Sequence, residues 1–264
     1  MPEQGQTQAL VEAALDARTV IDISSQPALW GGFLRGTAAE LMAVASTNLV
    51  NATSHDHAAD MVQGDLIQLL SCIGREYIDL YFLPIQRRLE EHQISGALEA
   101  LEMNKQEGLI RHLGLAGMGS VPAVLSTWQF HDAFDVILLP RNPIEHDLFD
   151  ALQGLAADRR VGVVTSRPLD WGLGAPFTVF PDSSDVASGL LAQYSAQHPV
   201  LVGVRSMEQI VVAASSLDFS GNLEQSVEEF KIKYQSADAW EVFAADPRPW
   251  VKRAAQRSKL ERVH

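Results

Sequence analysis

The feature that most narrows the choice of fold is an alternation. Short, almost continuously apolar runs at residues 19–23, 48–52, 77–83, 112–116, 134–139, 161–165 and 199–203 are separated by longer stretches with apolar residues at helical spacing. Runs of this length, lacking a regular polar alternate, read as strands buried on both faces. The stretches at 7–17, 37–46, 58–73, 94–107, 121–130, 148–157 and 184–197 each carry one apolar stripe and read as amphipathic helices. Gly74 and Gly108 follow two of them, and Pro122 sits in the first turn of another, where its missing N–H costs nothing. Strand–helix–strand alternation implies a parallel sheet covered by helices. A further helix is expected over 206–216.

The chain has 264 residues, 47% of them hydrophobic. That suits one (β/α) TIM-type barrel, which typically takes about 250 residues, so a single domain over 1–264 is expected. The usual first strand has no place, because only about six residues precede the first helical stretch. Residues 219–264, with Trp240 and Trp250, read as a helical C-terminal extension that covers one end of the barrel or meets a second subunit as a homo-oligomer contact. With 33 acidic against 20 basic side chains, the formal charge of −13 opposes binding to nucleic acid or to anionic lipid. Cys72 is the only cysteine, and no run approaches the roughly 18 apolar residues of a membrane helix. Without basic and apolar regions of a signal peptide at residues 1–6, a cytoplasmic location is expected.

Residues 77–84 (Tyr-Ile-Asp-Leu-Tyr-Phe-Leu-Pro), 96–101 (Gly-Ala-Leu-Glu-Ala-Leu) and 105–115 (Lys-Gln-Glu-Gly-Leu-Ile-Arg-His-Leu-Gly-Leu) resemble the middle of aldo-keto reductases in order and spacing. The resemblance extends back to residues 10–24 and forward through Arg141-Asn142-Pro143, residues 166–172 and residues 203–210, covering 10–218 in all. It implies a (β/α)-barrel whose relatives mostly reduce carbonyls with NADPH at the C-terminal mouth. It also implies a catalytic set of tyrosine, lysine, aspartate and histidine. Asp22 falls on the aspartate, but the tyrosine falls on Pro27, the lysine on Ser54 and the histidine on Pro84. The nicotinamide contacts fall on Ala116, Gly117, Leu138 and Ser166, and the adenine contacts on Val212 and Ala213. Of the phosphate-binding turn, Gly203, Arg205, Ser206 and Gln209 remain, with Arg205 and Ser206 the candidate cofactor contacts. No cofactor is expected, NADPH being the one the resemblance would supply.

The strand ends offer other chemistry. Arg87, Arg141, Arg167 and Arg205 come from four loops, and their guanidinium forks suit an anionic ligand unless each pairs with a rim carboxylate. Asn142 and Trp171 join Arg87, Arg141 and Arg167 as candidate substrate contacts, Trp171 as a stacking platform or as core. His55 and His57 in Ser54-His-Asp-His, with Asp22, are the candidate acid–base groups. The alternative for that cluster is capping by Asp56 of a helix starting near residue 58. A further alternative is that the two histidines are ligands to a divalent metal, for which the sequence shows no third ligand. The sequence therefore suggests a repurposed barrel that binds a small, anionic organic molecule and either transforms it without redox chemistry, by proton transfer, elimination or cyclisation, or merely binds it. The competing readings are an NADPH-dependent reductase with another acid and a non-catalytic interaction protein.

Overall fold

The computed structural model describes residues 4–16, 19–128, 131–142, 146–168, 184–204 and 206–218. In chain order the elements are α1 (Gln4–Asp16), β1 (Ile21–Asp22), α2 (Pro27–Leu34), β2 (Leu41–Val44), a 3-10 turn (Leu49–Asn51), α3 (His55–Ile73) and β3 (Ile78–Ile85). They continue as α4 (Glu91–Gln106), β4 (Ile110–Gly117), α5 (Val121–Trp128), β5 (Val136–Pro140), α6 (Asp147–Asp158) and β6 (Gly162–Ser166). The last are α7 (Ser184–Ser195), β7 (Val200–Leu201), α8 (Met207–Ser215) and a 3-10 turn (Ser216–Asp218). The strands follow one another in the sheet in sequence order, β1 to β7, as repeated right-handed βα units require. Among the described residues no strand precedes β1. The expected extension at 219–264 lies outside the described residues.

The chain divides into two compact units, one from Met1–Leu139 with Asp150–Val164, the other from Pro140–Phe149 with Thr165–His264. In the first, β1 pairs with β2, β2 with β3, β3 with β4 and β4 with β5, all parallel, in registers such as Ile21↔Leu41, Met42↔Leu80, Leu80↔His112 and Ala116↔Leu138. In the second, β6 pairs with β7 through Thr165↔Val200 and Ser166↔Leu201.

The core of the first unit is made by strands buried on both faces, including Tyr81, Phe82, Leu83, Leu113, Leu115 and Ile137, under the buried stripe of α3 (Val62, Leu66, Ile73). Gly74 ends α3 at φ 65°, and its N–H returns to the Leu70 carbonyl, the left-handed helix stop that glycine adopts without a Cβ clash. Tight helix packing rests on two other glycines. A Cβ on Gly31 would stand 2.1 Å from the Cys72 carbonyl oxygen, and one on Gly96 would stand 2.1 Å from that of His55. Hence α2 packs on the end of α3, and α4 packs on its start, backbone against side-chain-free surface.

Two sequence expectations need correction. Residues 37–46, read as helix, contain strand β2 at Leu41–Val44, and residues 48–52, read as strand, contain a 3-10 turn. The helix between β1 and β2 is instead α2, opened by Pro27 at its first position. Leu41-Met42-Ala43-Val44 has no strong β propensity of its own; pairing on both sides with β1 and β3 decides its state.

Candidate functional site

In parallel βα units the strand ends and the loops leading into the helices gather at one face, where (β/α) barrels place their chemistry. The first unit contributes Asp22 there, at the end of β1. Asp22 is half-buried, and its Oδ1 accepts the Ser24 N–H at 2.9 Å and the Ser24 hydroxyl in a short contact. The Ser24 Oγ in turn accepts the Val44 N–H at 2.8 Å. One carboxylate oxygen is therefore used to tie the end of β1 to the end of β2.

Beyond Ser24 the chain makes a left-handed turn at Gln26, φ 64°, immediately before Pro27. The Gln26 carbonyl accepts the N–H groups of Leu29 and Trp30, at 2.9 and 3.3 Å, and the Trp30 indole donates to the Ser25 carbonyl at 3.0 Å. Pro27 is thus held as the first residue of α2, and Pro84 sits inside β3 opposite Ala116.

The reading of Ser54 as the residue closing a strand is corrected by the position of β2. Ser54 is the N-cap of α3, and its hydroxyl accepts the His57 N–H at 3.1 Å. The residues that follow β2 are Ala45 and Ser46, and Ser46 gives both its N–H and its hydroxyl to the Asp65 carboxylate. The cap role weighed for Asp56 is likewise taken by Ser54, while the Asp56 side chain is 97% exposed.

The two histidines diverge. His55 sets Nε2 3.2 Å from Glu99 on α4 and Nδ1 3.3 Å from Asp56. His57 is exposed and turns back, its Nδ1 accepting the Thr53 N–H at 3.3 Å with the Thr53 hydroxyl at 3.1 Å. No three His, Cys, Asp or Glu side chains come together as a metal site among the described residues. After β3, Arg87 and its neighbour Arg88, which sequence reasoning passed over, are both exposed, with no carboxylate paired to either among the described residues. Adjacency to Arg87 was the only signal for Arg88.

The second unit holds Arg141, Asn142, Arg167 and Ser206. The Arg141 guanidinium carbon lies 4.0 Å from the Phe149 ring centroid and 4.9 Å from that of Tyr194, while His198 meets the edge of Phe149 at 5.5 Å. Burial pushes the Tyr194 phenol up to about 12, against the pull of the nearby guanidinium. Burial first, and Arg141 second, hold His198 below the ordinary histidine value. Arg141 therefore has the aromatic side chains of Phe149 and Tyr194 beside its guanidinium. Asn142 is 1% exposed and donates from Nδ2 to the Arg167 carbonyl at 3.1 Å. Arg167 adopts φ 58° at the end of β6. Ser206 is the N-cap of α8 and accepts the Gln209 N–H at 3.3 Å. Trp171 and Arg205 lie outside the described residues.

No family model matches the chain, and neither does any curated protein. Solved structures do. A Klebsiella pneumoniae aldo-keto reductase in complex with NADPH superposes with a TM-score of 0.66 at 18% identity, over 89% of this chain and 87% of that one. An aldo-keto reductase from Bacillus halodurans in its holo form gives 0.64 at 16% identity over 88% of each chain. Aldose reductase from Giardia lamblia gives 0.63 at 13% identity, over 87% and 89%. The fold is that of an aldo-keto reductase-like (β/α) barrel.

Proposed function

We propose that this barrel binds a small, anionic organic molecule at the carboxyl ends of its strands and acts on it by a non-redox step, such as proton transfer, elimination or cyclisation. The observation that carries the reading is the pair Pro27 and Pro84, one opening α2 and one inside β3, at the positions where the sequence resemblance expects a proton-donating phenol and an orienting imidazole. Neither proline has a proton to give. A general acid typically contributes about 10²- to 10⁴-fold to rate, so the ordinary carbonyl reduction lacks its main proton source. Asp22 keeps a carboxylate at the same face, with one oxygen engaged by Ser24, and is the base candidate that this reading favours. Arg87 supplies an exposed cation for the anionic group.

The residues at hand do not fit a nicotinamide. Ala116 and Leu138, 1% and 7% exposed and paired across β4 and β5, offer a carboxamide no side-chain hydrogen bond. Each missing bond forfeits about 1 kcal/mol, and several together weaken binding by orders of magnitude. The second reading, an NADPH-dependent reductase using a different acid, is favoured by the NADPH complex of the Klebsiella pneumoniae neighbour.

Fluorescence titration with NADPH, followed by turnover of an aromatic aldehyde, separates the two. The proposal expects no saturable micromolar binding and no aldehyde-dependent oxidation of NADPH. A micromolar site with reduction at ordinary reductase rates would replace it with the second reading. Native mass spectrometry of freshly purified protein then identifies any molecule retained at the mouth.

A further inference from the structure

The main chain at Arg167 is strained, and what holds it is visible. A non-glycine residue at φ 58° is uncommon, and one immediately before a proline, here Pro168, is more so, because the proline ring pushes its predecessor towards extended conformations. Such a conformation is unfavourable and persists only where the surroundings over-determine it, typically at binding sites. Arg160, the other arginine with positive φ, needs no such account, since it follows α6 where a left-handed residue is the usual helix stop.

Three restraints meet at Arg167. The Arg141 N–H donates to the Ser166 carbonyl at 3.0 Å, on one side of the strained residue. The Asn142 amide donates to the Arg167 carbonyl itself at 3.1 Å. Pro168, on the other side, is buried. Asn142 is 1% exposed, so its carboxamide sits inside the fold beside the Arg167 main chain. A carbonyl only accepts, so the nitrogen end of the carboxamide must face Arg167. That requirement distinguishes asparagine from its isostere aspartate.

We infer that Asn142 is a positioning residue: its buried carboxamide locks the main chain of Arg167 in the left-handed turn before Pro168 and so fixes where the Arg167 guanidinium stands for an anionic ligand. The ligand half of this inference rests on the function proposed above. The main-chain half does not.

Two measurements test the halves separately. The first is a stability cycle between Asn142→Asp, which cannot donate to the Arg167 carbonyl, and Arg167→Gly, which takes positive φ without strain. The loss caused by Asn142→Asp is expected to shrink when residue 167 is glycine; if Asn142→Asp alone does not fold, the double variant is expected to recover the folded state. Equal losses in both backgrounds, or a double variant that also fails to fold, overturn the main-chain half. The second is calorimetry with inorganic phosphate, comparing wild type, Asn142→Asp or the milder Asn142→Ser, Arg167→Ala, and Ile73→Val as a control for lost stability alone. Loss of Arg167 and loss of the Asn142 donor are expected to weaken phosphate binding alike, by about tenfold or more, with Ile73→Val unchanged. Weakening by Arg167→Ala but not by the folded Asn142 variant overturns the inference and leaves the proposed function standing. A wild type that binds no phosphate, or an Arg167→Ala variant that binds it as well as wild type does, overturns the ligand half of the inference and leaves Arg87 as the cation of the proposed function.

Discussion

The Arg141 guanidinium carbon lies 4.0 Å from the centroid of the Phe149 ring and 4.9 Å from that of the Tyr194 ring. A cation held over aromatic faces contributes about 0.5–2 kcal/mol, the upper end when desolvated. Arg141→Ala is therefore expected to lower stability by about 1–2 kcal/mol in urea denaturation, and Arg141→Lys to restore only part of it, because the planar fork stacks better than an ammonium. An Arg141→Ala variant as stable as wild type would contradict the stacked arrangement.

Tyrosine ionisation should report the same region. Tyr194 is pushed up to about 12 by burial, and Tyr81 is raised by burial first and then by its bond to Asp65. For a group whose folded value is raised, the stabilisation is complete below the unfolded value, about 10, and is lost as pH rises through the folded value. Stability is thus expected to fall above about pH 10. Of the four tyrosines, Tyr81 and Tyr194 should resist ionisation in absorbance titration until the chain unfolds. Tyr194→Phe should flatten the alkaline decline between about pH 10 and 12; a decline identical to wild type would exclude Tyr194 as its source.

His198 supplies an acid-side counterpart. Its folded value is depressed, so its contribution is present above the unfolded value, about 6.5, and is lost as pH falls through the folded one. Replacing His198 with phenylalanine, which keeps a ring against Phe149, should make stability less sensitive to acid below about pH 6.5. Thermal melts of both proteins between pH 5 and 8 check this.

Glycine substitutions along the helices should divide sharply. Gly96→Ala drives a methyl into the His55 carbonyl, backbone that cannot step aside, and is expected to cost about 1–3 kcal/mol or more. Gly64→Ala, in the middle of α3 with nothing within 4 Å of the added carbon, is expected to stabilise by about 0.5–1 kcal/mol. Chemical denaturation of the two variants side by side reads the difference.

Sequence reading succeeded where the pattern was long and local. The runs from residue 77 to residue 165 all coincide with strands, because each holds a nearly continuous apolar stretch and a helix separates it from the next. It failed between residues 27 and 52. Leu41–Val44 is too short and too neutral in propensity to declare itself, and α2 is written in Pro27-Ala-Leu-Trp-Gly-Gly, whose glycines argue against a helix until the Cys72 carbonyl is seen to need Gly31 bare. That shift of register also misplaced Ser54. Among the candidate site residues, Asp22 follows from the resemblance and from its strand end, and Arg87 from its strand end. The aromatic setting of Arg141 was not, since Tyr194 lies 53 positions away in the chain and no local spacing links them.

Asp79 and Asp135 each stand at the start of a strand or just before it, and each does the same two things. Asp79 accepts the Leu41 N–H at 2.9 Å and pairs with Arg111 at 2.7 Å; Asp135 accepts the Leu113 N–H at 2.9 Å and pairs with Lys105 at 2.5 Å. Both carboxylates therefore tie the start of one strand to the strand beside it, away from the strand ends that carry Asp22, Pro84 and Arg87. Alignment of the strands is secured by residues that no ligand at the other end would touch. Such a division of labour frees the strand exits to change chemistry through substitution, prolines included, while the scaffold that carries them stays in register.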